Sequence, residues 1–432
     1  MLLLTPRPRP GQRCRAWRRT TFALVTGAML SVSPAASGEE ALPRTWLVAA
    51  GGTGDCASAP CGSLAAAYHR ASPGDRIELA AGAYPDQVLP RRTPEATGAG
   101  DPTGPDGEAP GDERGVGVGN IVVLPAPGAD VELGAVDVHA PGVTISGVSL
   151  DAVTFRATAT GSGVDRATFR ARRRQAVTML RGATRVFVTR SSITGGADHD
   201  RVQVQGAVDA RLEGNLIGGT VLSPGSRSHV DCLQVLAADG LVVRRNVIYA
   251  CAGQTIFIQD TFGWGVQRLV FERNWVQDCG WRDESCNALF AVQVNTPGTT
   301  WLHNTVAGAM YVRATAPTTL RGNIIGALLF DWSRLSALCT GSAFAYNLVT
   351  TNCPTERLNT FPNTGNELGL ATFVGNVGAR PNPTTGPDLH LVPDSRGVDV
   401  GSPYASDLDI DGDSWYSAPD LGADEHVPAA VP

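Results

Sequence analysis

Lysine is missing from all 432 residues, so each of the 35 basic Lys-plus-Arg positions is an arginine. No chemistry in this chain can run through a Schiff base or a lysine general base. Long apolar runs are scarce as well. The run Phe22 to Leu30 is too short to cross a bilayer and nothing later is long enough, which argues against a membrane span. Excess positive charge is lacking too. The net charge is −6, a poor match for nucleic acid, which needs a basic footprint. No Cys-x-x-Cys pair occurs and no histidines cluster with the cysteines, which counts against a structural zinc site.

The first 38 residues read as an export signal. Their charges are all Arg (Arg7, Arg9, Arg13, Arg15, Arg18, Arg19), followed by the apolar run and by small residues Ser33-Pro34-Ala35-Ala36-Ser37 suited to cleavage. Arg18-Arg19 is similar to a twin-arginine signal with Phe22 one place late. Removing the segment leaves 29 basic against 41 acidic residues, a net charge of −12. Residues 39–432 are expected to form one domain, secreted or at the cell surface, and monomeric. Eight cysteines remain, as near neighbours: Cys56 and Cys61, Cys232 and Cys251, Cys279 and Cys286, Cys339 and Cys353. An even number in an exported chain reads as disulfides that close loops or tie adjacent coils.

Along the middle, one phrase recurs: a β-rich run, then Asn, then two apolar residues. Its asparagines are Asn215, Asn246, Asn274, Asn304, Asn323 and Asn347, spaced 31, 28, 30, 19 and 24 residues apart. A loose repeat without helical periodicity marks a stacked solenoid of strands. One Asn per coil at an internal turn could bond the backbone of its neighbours and satisfy groups the turn would orphan. Residues 94–119, dense in Gly, Pro, Asp and Glu, should form a mobile surface loop. Residues from about 350 to 432 are poor in strand signal and should pack as a loop-rich cap.

The mature start has a strand at Thr45–Ala49 and a short helix with Ser63 as N-cap. A Pro73-Gly74-Asp75 turn then leads into the strand Arg76–Leu79, which ends at Gly82-Ala83-Tyr84. This opening, with the closing Asp411-Gly412-Asp413 and Pro419-Asp420-Leu421-Gly422-Ala423-Asp424-Glu425, resembles secreted right-handed parallel β-helix proteins of the pectin-lyase-like superfamily. The resemblance implies an all-β, single-stranded right-handed parallel β-helix with a short N-terminal capping helix. It leaves activity open, because that superfamily holds lyases, hydrolases, epimerases and adhesins. Many of its lyases use Lys or Arg as base, and lysine is absent here. Its galacturonan hydrolases carry His-Gly and Arg-x-Lys, which this chain lacks, and Asp198-His199-Asp200 lacks the Pro of the epimerase motif.

The candidate chemistry sits in two matching segments, Asp198-His199-Asp200-Arg201-Val202-Gln203 and His229-Val230-Asp231-Cys232-Leu233-Gln234. Asp200 precedes Asn215 by fifteen residues and Asp231 precedes Asn246 by fifteen. Equal offsets place Asp200 above Asp231 and Gln203 above Gln234 on successive coils, about 4.8 Å apart. Gln254 and Asn287 could extend the acidic column. Stacked carboxylates at that distance repel unless they share a proton, a cation or a substrate. His229 and Asp231, two apart, can act as a pair and abstract a proton α to a uronate carboxylate. The catalytic candidates are therefore His229, Asp231 and Asp200. Gln203, Gln234, Arg201, Arg227 and Trp264 are expected to bind substrate, and Trp281 is a further stacking candidate. Stacked Phe residues inside the coil read as core. Arg166, Arg170, Arg172, Arg173, Arg174, Arg181, Arg185 and Arg190 suggest a basic strip able to hold acidic polysaccharide, with Arg170, Arg172 and Arg174 alternating on a strand so that all three face one side. Asp407, Asp409, Asp411 and Asp413 have the alternation of a calcium loop, with Ala418 where the twelfth-place Glu belongs. Calcium is the one cofactor suggested. These features indicate a carbohydrate-active protein, a polysaccharide lyase or hydrolase acting on extracellular, uronate-containing glycan. The alternative is a non-catalytic extracellular or cell-surface protein that binds glycan.

Overall fold

The computed structural model describes residues 42–92, 120–171, 174–279, 290–313 and 318–330, with short stretches at 344–345, 347–351, 367–368, 391, 395–396, 398, 409–411 and 420–423. The expected export signal and the 94–119 loop lie outside the described residues. From Pro43 onward the chain is one compact unit.

Every recorded strand pairing is parallel, and each strand pairs with its counterpart one coil on. One sheet of twelve strands follows chain order from Thr45–Val48 through Phe187–Thr189, Arg211–Glu213, Val242–Arg244 and Leu269–Glu272 to Phe344–Ala345. A second column holds Ser192–Thr194, Leu216–Gly218, Val247–Tyr249 and Trp275–Gln277. A third holds Val177–Leu180, Val202–Val208, Leu233–Asp239, Ile256–Ile258 and Val292–Val294. One turn of chain thus contributes a strand to each of three faces, which is a parallel β-helix, right-handed as parallel crossovers are. Short strands suffice because each is paired on both sides, and alternation sends Val, Ile and Leu inward. In the first sheet the inward column runs Val164, Val188, Leu212, Val243, Phe271, Trp301, Leu320. The Phe271 and Trp301 rings in it stack 4.0 Å apart.

The asparagine phrase forms a ladder at the turn between the first and second columns. The backbone N–H of Asn215, Asn246, Asn274, Asn304 and Asn323 each donates to the Oδ1 of the next asparagine, at 2.9, 3.0, 3.0, 2.9 and 3.1 Å. Each Nδ2 reaches the same Oδ1 and a carbonyl one coil back, as Asn246 does at Leu212. Ser191 begins the series by donating its N–H to Asn215 Oδ1. The residue before each rung adopts the left-handed conformation: Arg190, Gly214, Arg245, Arg273, His303 and Gly322 have φ between 48° and 67°. For a side-chain-bearing residue that costs roughly 1–2 kcal/mol, which the ladder's buried hydrogen bonds offset.

The N-terminal end matches the expected cap. The helix Leu64–Arg70 has Ser63 as N-cap, with its hydroxyl accepting from Ala66 N–H at 3.1 Å. Asp75 accepts from Arg44 N, Ser72 N and Trp46 Nε1, fixing the first strand against the turn. At the other end Gly422 N–H donates to Gly322 O at 2.7 Å, and Leu391 and Leu421 pack on Ile324. The Cys56–Cys61 and Cys232–Cys251 disulfides are formed as paired in sequence. Cys279 is also disulfide-bonded, while Cys286, Cys339 and Cys353 lie outside the described residues.

Two outcomes are expected. Asn274→Ala removes the acceptor for Asn246 N–H and the donor to Val243 O. Chemical denaturation should show a loss of about 3 kcal/mol or more, since each orphaned buried group costs roughly 1–3 kcal/mol. His303 is buried against the backbone of Asp420, and burial pushes its imidazole down to about 4. The unfolded chain takes up that proton near pH 6.5, so stability from this group is full above pH 6.5 and falls as pH drops toward 4. The difference in unfolding free energy between wild type and His303→Asn, measured from pH 7.5 to pH 4, should shrink by about 3 kcal/mol; a pH-independent difference refutes it.

Candidate functional site

The third strand column carries an outward row that runs Thr154, Thr178, Gln203, Gln234, Phe257, Gln293, Tyr311 in register. Just ahead of these strands lies a second row. Arg201 N–H donates to Asp231 O and Cys232 N–H to Gln254 O, which stacks Asp200, Asp231 and Gln254 on successive coils. Asp200 Oδ1 accepts the backbone N–H of Asp231 at 2.8 Å, while Gln203 Nε2 donates to Asp200 Oδ2 at 3.2 Å. One coil on, Gln234 Nε2 donates to Asp231 Oδ2 at 3.2 Å. The two glutamines join through Gln203 Nε2 to Gln234 Oε1 at 2.6 Å, and Gln205 Nε2 donates to Gln203 Oε1. The result is a continuous amide chain that ends on a carboxylate. Its glutamines are largely engaged with one another, so they position Asp200 and Asp231 more than they offer free groups to a sugar.

The burial of the three catalytic candidates sorts their roles. Asp231 is 0% exposed and Asp200 6%, whereas the His229 side chain is 48% exposed. His229 Nδ1 stands 3.2 Å from Asp231 Oδ2, and its ring meets Phe257 edge-on at 5.6 Å. Asp231 is sealed from solvent in this arrangement and orients the half-exposed imidazole. The Asp231 hydrogen bond raises the His229 pKa above its usual value against the opposing effect of burial, helped by both carboxylates. Burial pushes Asp200 up to about 6, with the Asp231 backbone N–H pulling it back and the Asp231 charge adding to the rise. Burial also raises Asp231, with His229 pulling it down. Cys232–Cys251 anchors the residue after Asp231. Gly253 packs so closely on Asp231 that an added Cβ would come within 2.9 Å of Oδ1.

The two expected arginines part company. Arg201 is 1% exposed, and its guanidinium donates to Ala171 O at 2.8 Å and His199 O at 2.9 Å. It braces the wall below Asp200 and does not face a substrate. Arg227 is exposed on the loop that leads to His229. Trp264 is 45% exposed and Phe262 is 42% exposed. Trp275 is buried, and Trp281 and Asn287 lie outside the described residues.

The basic strip is not one surface. Arg170, Arg172 and Arg174 were expected to alternate on a strand, but the strand is only Thr168–Phe169. Arg170 pairs with Glu132 and Arg174 with Asp151 in the third-column region, while Arg166 and Arg190 pair with Asp165 on the first sheet. Arg172 and Arg173 lie outside the described residues. Of the four expected calcium ligands, Asp407 and Asp413 also lie outside them. Asp409 is buried, and Asp411 lines a cavity of about 240 Å³ together with Arg190, Arg211, Arg245 and Glu213. Three guanidinium groups are poor company for a dication, and no group of three metal-ligating side chains converges among the described residues. No step is therefore assigned to calcium.

Neither a protein-family model nor any curated protein matches this sequence. Solved structures of similar fold include pectate lyase Pel9A, at 15% identity and TM-score 0.49 over 89% of this chain and 96% of that one. The PL6 family alginate lyase AlyGC gives 13% identity and TM-score 0.48 over 82% of this chain and 55% of that one. A rhamnogalacturonan lyase gives 10% identity and TM-score 0.32 over 76% of this chain and 87% of that one. Likenesses this distant carry no information on activity. By its own strand pairing, the chain is a parallel β-helix.

Proposed function

We propose that this protein is an extracellular polysaccharide lyase acting on uronate-containing glycan, with His229 as its base. One observation carries the reading: a half-exposed imidazole whose Nδ1 faces a fully buried carboxylate at 3.2 Å. The arrangement fixes Nδ1 as the protonated nitrogen, leaving Nε2 as the basic one when the ring is neutral. Nε2 takes the proton from the carbon α to the uronate carboxylate. The electron pair left behind forms the C4–C5 double bond as the C4–O4 bond breaks, and the departing oxygen takes a proton from water. Arg227, exposed two residues before His229, is the nearest cation in sequence to neutralise the substrate carboxylate. Asp231 and, behind it, Asp200 are positioning residues that hold and charge-balance the imidazole.

The first test is a screen of purified protein on uronate-containing and neutral polysaccharides, with and without calcium. It follows both ultraviolet absorbance of an unsaturated uronate and reducing ends. Absorbance should rise with wild type, fall about 10²–10⁴-fold in His229→Ala, and fall strongly in Asp231→Asn with a fold that still melts cooperatively. Reducing ends without absorbance would replace elimination by hydrolysis. No product on any substrate would favour a non-catalytic glycan-binding protein.

The pH profile gives a second check. A neutral base works above its pKa, and His229 is raised above 6.5 by Asp231. The activity of wild type should therefore rise with pH through a midpoint above 6.5, and Asp231→Asn should move that midpoint to lower pH. An unmoved midpoint would exclude His229 as the titrating base.

A further inference from the structure

Between Ile258 and Val266, residues 259–265 leave the third column and arch over the preceding coil. Gln259 N–H and Thr261 N–H donate to Val235 O and Leu236 O at 2.9 and 3.0 Å, and Ala238 N–H donates to Gly265 O at 3.2 Å. Asp260 closes the arch by accepting from Trp264 N and Gly265 N at 3.1 and 3.2 Å. This well-bonded segment nevertheless holds two large aromatic side chains in water, Phe262 and Trp264, with their rings stacked at 4.4 Å. A loop that is free to bury them would do so, and these backbone bonds keep it from doing so.

Trp264 stands on Gly206 of the strand Val202–Val208, where an added Cβ would come within 3.1 Å of the indole. Arg181, from the coil before, places its guanidinium carbon 4.7 Å from the indole centroid. Two groups this close to one ring occupy opposite faces, so Trp264 is the middle layer between Phe262 and Arg181 and has no free face for a sugar. The outward surfaces are the far face of Phe262 and the N–H edges of Arg181. Most neighbouring arginines of this sheet are matched to carboxylates: Arg156 to Asp137, Arg170 to Glu132, Arg268 to Asp239. Arg181 has no ion-pair or hydrogen-bond partner among the described residues and is exposed. An aromatic face orients a guanidinium without using its donors, so its planar fork remains available to a bidentate oxyanion. Gly206 is three residues along the strand from Gln203, about 10 Å at 3.3 Å per residue. The stack therefore flanks the His229 region on the same strand.

We propose that Phe262, Trp264 and Arg181 form a binding subsite for an acidic oligosaccharide. One sugar ring lays its apolar face on Phe262, and the carboxylate or sulfate ester of another residue of the same oligosaccharide is held by Arg181. The subsite rests on the glycan reading above but does not depend on turnover there.

Calorimetric titration of the Asp231→Asn protein, in which turnover is strongly slowed, tests it with three oligosaccharides of equal length: uronate-containing, sulfated and neutral. At least one anionic ligand should bind, more weakly as salt rises, and Arg181→Gln should weaken it about tenfold while leaving neutral binding unchanged. Phe262→Ala should weaken all binding that occurs. Whichever anionic ligand responds to Arg181→Gln identifies carboxylate or sulfate as the group recognised. Failure of both anionic ligands to bind, or binding unchanged by both Arg181→Gln and Phe262→Ala, would overturn the subsite. Wild type that shows Arg181-dependent binding but no product would sink the lyase reading alone. Product formation whose KM ignores Arg181→Gln would sink the subsite alone.

Discussion

The asparagine ladder is the constraint on which everything else depends. Each rung fixes where one coil sits over the next, because a backbone N–H and an amide Nδ2 of one coil both seek the same Oδ1 on its neighbour. A slip of one residue would break these bonds and turn the inward column outward. The register at the ladder carries round the coil to the third face. There it sets Gln203 over Gln234 and Asp200 over Asp231, although fifteen residues separate each Asp from its rung.

That stacking creates an electrostatic difficulty and its remedy together. Two carboxylates on adjacent coils, both nearly out of water, are costly when ionised. Asp200 is held by a backbone N–H and a glutamine amide, and Asp231 by a glutamine amide and His229. The imidazole is the component that water and ligands can reach. The buried acids supply its orientation and basicity, so the exposed part of this cluster is one residue wide and rests on a polar column.

Much of this was legible in the sequence because coil geometry converts spacing into position. The rung asparagines, the Asp200–Asp231 register, the Ser63 cap and the Cys56–Cys61 and Cys232–Cys251 pairs all follow from local chemistry or from equal offsets. What spacing cannot show is depth. Nothing in Asp200-Arg201 or His229-Val230-Asp231 distinguishes a side chain sealed under the next coil from one in solvent, so Arg201 read as a ligand residue and is a brace. The Arg170–Arg174 alternation misled for a related reason: the strand there is only Thr168–Phe169 and ends before Arg170. The stack of Arg181 on Trp264 joins residues 83 apart in sequence, through a loop whose path no periodicity records.

The rung spacing varies from 19 to 31 residues while the ladder distances stay within 2.9–3.1 Å. All of that variation must be absorbed outside the paired segments, chiefly in connections such as 219–232 and 250–255 that border the His229 face. Length and alignment are therefore decoupled. The loops around His229 can lengthen, shorten or be replaced one coil at a time without re-threading the frame, so the surface presented there can drift on this scaffold while its architecture holds.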